Sequence, residues 1–185
     1  YFLSDYDNLL GQCTASSGAQ CTPGDSFNGN AATVQGLELM VQRAFATQAG
    51  RTFTVNLNYT LLDGRFDTDI ADTAFFGDVS KGDPIPYLPR HQLHLGFGLL
   101  TTRWSHYLDF GYQDSVCVKS RCGTFETTDS QSVFDLSTHY ELNERTSIFA
   151  KVENLSNKSI LVARQPYGAR PSRGRSLTIG FSASL

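Results

Sequence analysis

The chain has 185 residues, of which 40% are hydrophobic and 12% aromatic, and its mean hydropathy is -0.25. No run of about 20 apolar residues occurs, which excludes a transmembrane helix, whereas a membrane-crossing strand needs only about 10 residues of alternating character. A net charge of -3 and a pI near 5.7 give no electrostatic basis for binding nucleic acid. No basic leader followed by an apolar run is present and Tyr1 falls inside a predicted strand, so we expect the sequence to begin within a longer protein.

Alternation of apolar and polar residues predicts eight strands. In chain order they cover residues 1–10, 37–42, 53–61, 93–99, 104–112, 134–140, 147–153 and 175–185. The first is the least regular and the last the clearest, with a wholly apolar face and a face of small polar residues. The eleven residues 175–185, at about 3.4 Å each, reach roughly 37 Å. If this strand is tilted by about 40°, it spans roughly 28 Å along the membrane normal, which is close to the height of the apolar band of an outer-membrane barrel, about 25 Å.

Short and long connections alternate between these strands. Short turns are predicted at 47–50, 100–103 and 141–145, and long connections at 11–30, 63–87, 115–128 and 157–173. Long loops outside the cell and tight turns at the other end are typical of outer-membrane barrels. Aromatic residues are predicted at the strand ends: Phe45, Phe53, Trp104 and Tyr140 beside short turns, and Tyr59 and Tyr112 beside long loops.

The pattern therefore predicts an all-β, antiparallel transmembrane β-barrel. Two alternatives remain at this point. One is a soluble β-sandwich, whose strands also alternate. The other is a complete eight-stranded barrel, whose narrow interior must be filled by side chains; the many glycine and serine residues on the polar face would fill it poorly.

Four cysteines form two close pairs, Cys13 with Cys21 and Cys117 with Cys122. Both pairs fall in long connections, which would face an oxidising exterior, so two local disulfides are the preferred interpretation. A zinc site requires closer spacing than the first pair has, although the second pair would allow it. Free thiols are the remaining alternative.

Several motifs resemble TonB-dependent receptors, in particular the ferric dicitrate and ferric siderophore type. They are YDNLLGQC at 6–13, FNGNAATVQGLEL at 27–39, PIPYLPRHQLHLGFGL at 84–99, KVENLSNKSI at 151–160 and the closing segment 164–185. Their order and spacing over almost the whole chain carry the resemblance. One departure is the terminal Leu185, where such chains usually end in an aromatic residue.

The resemblance implies that residues 1–185 are the C-terminal portion of a larger receptor, providing about eight strands of a barrel of about 22 strands. The plug domain and the earlier strands would lie outside this sequence. It further implies an outer-membrane location, contact with lipid and lipopolysaccharide, and uptake of a ferric chelate energised by TonB with ExbB and ExbD through the plug. The alternatives are a passive porin-like or small outer-membrane barrel, a soluble secreted binding module, and a receptor for a non-iron nutrient.

The candidate ligand-facing residues are cations of the last long connection. They are Lys158, Arg164, Arg170, Arg173 and Arg175, with no Asp or Glu between 157 and 175. Guanidinium groups at a barrel mouth concentrate anionic ligands and bind carboxylates with two hydrogen bonds. The alternative is contact with lipopolysaccharide phosphates or acidic neighbouring loops.

No other motif predicts chemistry. No nucleophile constellation or catalytic carboxylate pair appears, so we expect no enzyme activity and no cofactor. His94 and His139 are expected to face the hydrated interior. Six aspartates at 63, 67, 69, 72, 78 and 83 could offer oxygen ligands to calcium, but the EF-hand spacing is absent. A solvated loop is the preferred interpretation, and no metal site is predicted.

Overall fold

The computed structural model describes residues 1–12, 22, 24–73, 77–164 and 168–183. The strands are, in chain order, β1 (Phe2–Tyr6), β2 (Leu10–Gln12), β3 (Ser26–Asn28), β4 (Ala32–Ala46), β5 (Thr52–Phe66), β6 (Ile70–Thr73), β7 (Gly77–Val79), β8 (His91–Leu100), β9 (Trp104–Gln113), β10 (Gln131–Asn143), β11 (Thr146–Glu153), β12 (Leu161–Ala163), β13 (Arg170–Pro171) and β14 (Ser176–Ala183). One 3₁₀ turn, Thr124–Glu126, lies between β9 and β10. None of the described residues belongs to a helix with the length and apolar character of a membrane span.

Eight of these strands form one antiparallel sheet in the order β1-β4-β5-β8-β9-β10-β11-β14. Each strand pairs with the sheet strand that precedes it in the chain, so the sheet is a meander and part of a barrel that this chain does not close. All eight predicted strands are confirmed. The six remaining strands form three small hairpins, which sequence periodicity did not predict because each strand has only two to four residues.

Strands β4, β5 and β10 are longer than predicted, and the first is shorter. Strand β4 covers Ala32–Ala46 instead of residues 37–42, and β1 ends at Tyr6 instead of near residue 10. The predicted long connection began at Asp63, yet β5 continues to Phe66. The reason is that residues 63–66 still pair with residues 32–35 of β4, which extends the ladder beyond the apolar part of the sheet. Strand β10 likewise continues to Asn143, which shortens the following turn to residues 144–145.

The register places apolar side chains of every sheet strand on one face. Leu57, Leu95, Phe110 and Phe134 are consecutive cross-strand partners along one such row. This face is uncovered: Leu177, Ile179 and Phe181 are 64%, 73% and 76% exposed. A soluble β-sandwich would bury this face against a second sheet, so the structure favours a surface in contact with lipid.

Aromatic residues lie at both ends of the apolar face, as predicted. At the end with the short turns, Phe45 pairs with Phe53, and the rings of Trp104 and Tyr140 are 4.4 Å apart. At the other end the hydroxyl groups of Tyr59 and Tyr112 lie 2.8 Å from His91 Nδ1 and Asp114 Oδ1, respectively. Rings with one polar edge suit the boundary between lipid and water.

Candidate functional site

The long connections all lie at one end of the meander, because antiparallel strands return their ends to the same side. They are residues 7–31, 67–90, 114–130 and 154–175, here called the first to fourth connections and together the loop layer. The first and second connections pack on an apolar cluster at the end of the β4–β5 pair. Ala32, Phe66 and Val79 are buried there, and Leu9, Ile70 and Ile85 pack against them.

Asp83 joins the second connection to the third. Its Oδ2 accepts hydrogen bonds from the backbone N–H of Ser80 at 2.8 Å and from Arg121 Nε at 3.0 Å. The hydroxyl of Ser120, a residue only 2% exposed, donates to the same oxygen at 3.3 Å. The Ser80 N–H and the Arg121 guanidinium hold the pKa of Asp83 below its usual value, against the opposing effect of burial. The carboxylate therefore remains charged down to acidic pH.

The third connection is closed by a disulfide between Cys117 and Cys122, whose Cα atoms are 5.5 Å apart. This confirms the second predicted pair, while Cys13 and Cys21 lie outside the described residues. Next to the disulfide, Glu126 accepts a hydrogen bond from the Gly123 N–H and pairs with Lys119 at 3.1 Å. Both contacts lower the pKa of Glu126, the Gly123 N–H most strongly.

Asn154 anchors the fourth connection. It is 6% exposed and has a positive φ of 52°, a conformation that asparagine tolerates better than most residues. Its Nδ2 donates to the carbonyl oxygens of Lys158 and Arg173 at 2.9 and 3.0 Å, and its Oδ1 accepts from the Lys158 N–H at 3.2 Å. Asn157, at φ 50°, accepts from the Arg175 N–H at 3.0 Å. The two asparagines thus fix the backbone of three predicted cations.

The five predicted ligand-facing cations do not converge on one point. Arg164 donates from Nε to the Thr127 carbonyl, which docks the fourth connection on the third. Arg170 lies close to Tyr87: burial raises the pKa of this phenol, and the positive charge of Arg170 opposes that rise. Arg173, with 82% of its side chain exposed, pairs with Glu153 at 3.7 Å.

The other two cations are also exposed. The ammonium group of Lys158 lies 3.4 Å from the Ser132 hydroxyl, and Arg175 follows at the start of the last strand. Lys158, Arg170 and Arg173 therefore offer charge to solvent at the loop layer, whereas Arg164 also holds two connections together.

Below the fourth connection, ionisable side chains form a row on the polar face of the sheet. The Glu153 carboxylate accepts hydrogen bonds from the Lys151 ammonium and from the Ser176 hydroxyl, each at 2.8 Å. Further across the sheet Asp135 is the cross-strand partner of Asp109, and Asp109 lies 3.4 Å from His94 Nε2. The contact with Asp109 places the His94 side chain on the polar face, which is the face that the sequence predicts to be the interior one.

His139 lies on the same face, where its ring stacks on Phe149 at 5.4 Å. Both histidines thus have ordinary structural contacts on the polar face. In the described part of the chain, no group of three or more His, Cys, Asp or Glu side chains could hold a metal ion.

The aspartates of the predicted acidic loop are dispersed. Asp63 pairs with Arg65 at 3.1 Å, Asp67 accepts from the Thr33 hydroxyl at 2.7 Å, and Asp69 accepts from the Lys81 N–H at 2.8 Å. These carboxylates satisfy donors of the loop backbone and of neighbouring strands. The side chain of Asp72 lies outside the described part of the structure.

Sequence reasoning missed the positioning role of Asn154, Asn157 and Asp83. A usable signal existed for Asn154, because asparagine directly after a strand is a frequent turn residue that satisfies nearby backbone groups. No signal in the sequence identified Asp83, since its partner Arg121 is distant along the chain.

The family model described as TonB dependent receptor-like, beta-barrel matches residues 1–155. No curated protein matches this sequence. Two solved structures resemble the fold. The siderophore receptor PiuA from Acinetobacter baumannii superposes with a TM-score of 0.70 at 18% identity, over 98% of this chain and 25% of the receptor. The ferric-catecholate import receptor Fiu from E. coli K12, in a closed form, gives a TM-score of 0.68 at 21% identity, over 98% of this chain and 24% of the receptor. This chain thus spans about a quarter of their length.

Proposed function

Since the chain belongs to the TonB dependent receptor-like β-barrel family, we propose that it is the C-terminal portion of the barrel of a receptor that takes up a ferric chelate by energised transport. Members of this family are receptors and transporters of the outer membrane rather than enzymes. The open eight-stranded sheet is one part of such a barrel wall. The long connections would face the exterior, as they do in outer-membrane barrels generally.

The observation that carries the ligand assignment is the charge of the fourth connection. Residues 157–175 contain five cations and no carboxylate. Asn154 and Asn157 bond the backbone of Lys158, Arg173 and Arg175, which supports presentation of these three cations on a fixed backbone. An ordered cationic surface at the mouth attracts anionic ligands and loses little entropy when it binds them.

Ferric complexes of citrate and of catecholates are anionic, which matches this surface. The two similar structures are named for a siderophore and for ferric catecholate. Because their sequence identity to this chain is low, their names support only the class of ligand, a ferric chelate. Experiment must identify the individual chelate. Energy for uptake would come from TonB with ExbB and ExbD, acting on a plug domain outside this sequence.

The test is ligand binding by the full-length, detergent-purified receptor, measured by intrinsic fluorescence quenching. The panel should contain ferric citrate, a ferric catecholate and an uncharged ferric hydroxamate. We expect tight binding of one anionic chelate. A unit charge about 4 Å from another contributes about 1 kcal/mol in water. Reversing two of the exposed cations with Arg170→Glu and Arg173→Glu should therefore weaken anionic binding by about tenfold or more, and should leave the uncharged complex unaffected.

Lys81→Glu is the matched control, because Lys81 is an exposed cation of the second connection whose backbone N–H bonds Asp69. It should change affinity by less than the double variant. Unchanged affinity in the double variant would remove the cations from the binding surface. Failure of every ferric complex to bind would move the substrate to a non-iron nutrient.

A further inference from the structure

A groove interrupts the apolar face at the end of the sheet with the short turns. Its volume is about 510 Å³, and its walls include the side chains of Trp104, Tyr140, Ile148 and Phe181. The floor is formed by Thr138 and Ala150, which are cross-strand partners. Two small side chains between larger neighbours leave this space. It opens on the face that lies against lipid, so its occupant comes from the membrane.

A second hollow of about 420 Å³ adjoins the groove and shares Trp104 with it. Its lining is more polar and includes the side chains of Arg51, Thr101 and His106. The His106 ring stacks on Trp104 at 5.3 Å. A hollow with a guanidinium and an imidazole therefore lies directly beside a mostly apolar groove, and the Thr138 hydroxyl in the groove floor lies 2.8 Å from His106 Nδ1.

The short turns add further positive charge at the same level. Residues 47–51, 101–103 and 144–145 contain Arg51, Arg103 and Arg145 against one carboxylate, Glu144. All four side chains are exposed. In the described part of the chain, no carboxylate lies within ion-pair distance of the three arginines. The three positive charges and one negative charge leave an excess of two positive charges.

We propose that this end of the apolar face binds an anionic phospholipid of the periplasmic leaflet, with its phosphate at the row of turn arginines and an acyl chain in the groove. Apolar contact alone gives no preference, because bulk lipid tails are as apolar as these side chains. Selection comes from the charge of the head group, and each arginine near a membrane surface strengthens binding of anionic lipid by roughly fivefold. The groove fixes where along the rim the lipid lies.

The inference rests on the membrane-spanning barrel of the proposed function and is independent of the ferric ligand. Lipid binding and ferric chelate binding are therefore measured separately on the same full-length receptor. Loss of one without the other distinguishes failure of this inference from failure of the transport proposal.

The experiment is a native mass spectrometry titration of the full-length receptor with phosphatidylglycerol and with phosphatidylethanolamine of identical acyl chains. We expect the wild-type receptor to retain phosphatidylglycerol preferentially. Replacing Arg51, Arg103 and Arg145 together by glutamine should abolish this preference, with a loss of at least tenfold in apparent affinity. Ala150→Leu fills the groove without changing any charge, and it should remove the most tightly held lipid.

Two variants serve as matched controls. Arg43→Gln removes an arginine that lies over the Phe45 ring near the same end of the sheet but outside the groove. Val41→Leu enlarges an exposed side chain of the same face elsewhere. Both should retain the wild-type preference.

Unchanged selectivity in the triple variant, or unchanged retention of the most tightly held phosphatidylglycerol in Ala150→Leu, would overturn the proposal. An equal loss in Arg43→Gln would do the same, because it would indicate diffuse attraction rather than a site. If the triple variant fails to assemble, the retention of phosphatidylglycerol by Ala150→Leu tests the proposal on its own.

Discussion

Replacement of Asn154 by alanine should release the fourth connection from the end of β11. The substitution removes three hydrogen bonds to backbone groups, those to Lys158 O, Arg173 O and Lys158 N. At about 1 kcal/mol net for each bond, the local free energy of opening should fall by about 3 kcal/mol. A further cost of about 1 kcal/mol follows because alanine is disfavoured at the φ of 52° that asparagine adopts here.

Hydrogen–deuterium exchange of the full-length receptor in detergent measures this change directly. Since 1.4 kcal/mol corresponds to a factor of ten, amide exchange in residues 155–163 should accelerate by at least about 100-fold. Asn154→Gly separates the two contributions, because glycine removes the same bonds but accepts the positive φ. It should cost about 1 kcal/mol less than alanine.

Asn157→Gly is a graded control, since Asn157 makes one such bond, to the Arg175 N–H. It should accelerate exchange near residue 175 by only about fivefold, which corresponds to about 1 kcal/mol. Exchange in 155–163 within about threefold of wild type in Asn154→Ala would refute the reasoning. The connection would then be held by its contacts with the third connection.

Three further predictions concern the loop layer and the sheet edge. The pKa of Asp83 is lowered in the folded protein, so the stability that its ionised carboxylate contributes is present above pH 4 and is lost as pH falls below about 4. Amide hydrogens of the second and third connections should then exchange faster. Replacing Cys117 and Cys122 by serine should cost the third connection about 2 kcal/mol, measured as faster exchange in 114–130. Gly36→Ala should disturb the pairing of β4 with β5 and β1, because the added Cβ would lie 2.6 Å from the Leu61 carbonyl oxygen and 2.7 Å from the Phe2 ring. Chymotrypsin, which cleaves after aromatic residues such as Phe2 and Tyr6, should then cleave β1 sooner.

Each of these has an outcome that contradicts it. Asp83→Asn should remove the acid response, so a variant that still responds between pH 5 and 3 would assign it to another group. Unchanged exchange in the cysteine variant would mean that hydrogen bonds alone hold the third connection. Equal cleavage of Gly36→Ala and wild type by chymotrypsin would show that the Leu61 carbonyl and the Phe2 ring both move aside at no cost.

The sequence predicted the sheet because lipid imposes a simple rule on it. Every second residue of a membrane-facing strand must be apolar, so a segment such as Leu93–Leu99 reveals strand, face and approximate length together. The same rule placed His94 and His139 on the polar face. Strand ends were less predictable, since β5 is extended to Phe66 by pairing with β4 and by burial against Val79, which alternation does not record.

The loop layer could not be predicted because its contacts join residues that are far apart in the chain. The charge of Arg164 predicts a contact with ligand. The structure shows that its guanidinium donates a hydrogen bond to the carbonyl of Thr127, 37 residues away. The sequence shows Asp83 only as one of six acidic loop residues, whereas in the structure its carboxylate accepts a hydrogen bond from Arg121. Composition shows which charges a loop contains but not which of them are already paired.

Each connection of the loop layer contacts the next one along the chain. The first and second pack together at the apolar cluster, and Asp83 joins the second to the third. The third and fourth are joined by a pair of hydrogen bonds between Asp129 and Leu161. An insertion or deletion in one connection would therefore leave partners in its neighbours without their bonds. Homologous receptors with this layer should keep the lengths of these connections correlated. Their ligand preferences should diverge chiefly by exchange of exposed side chains such as Arg173.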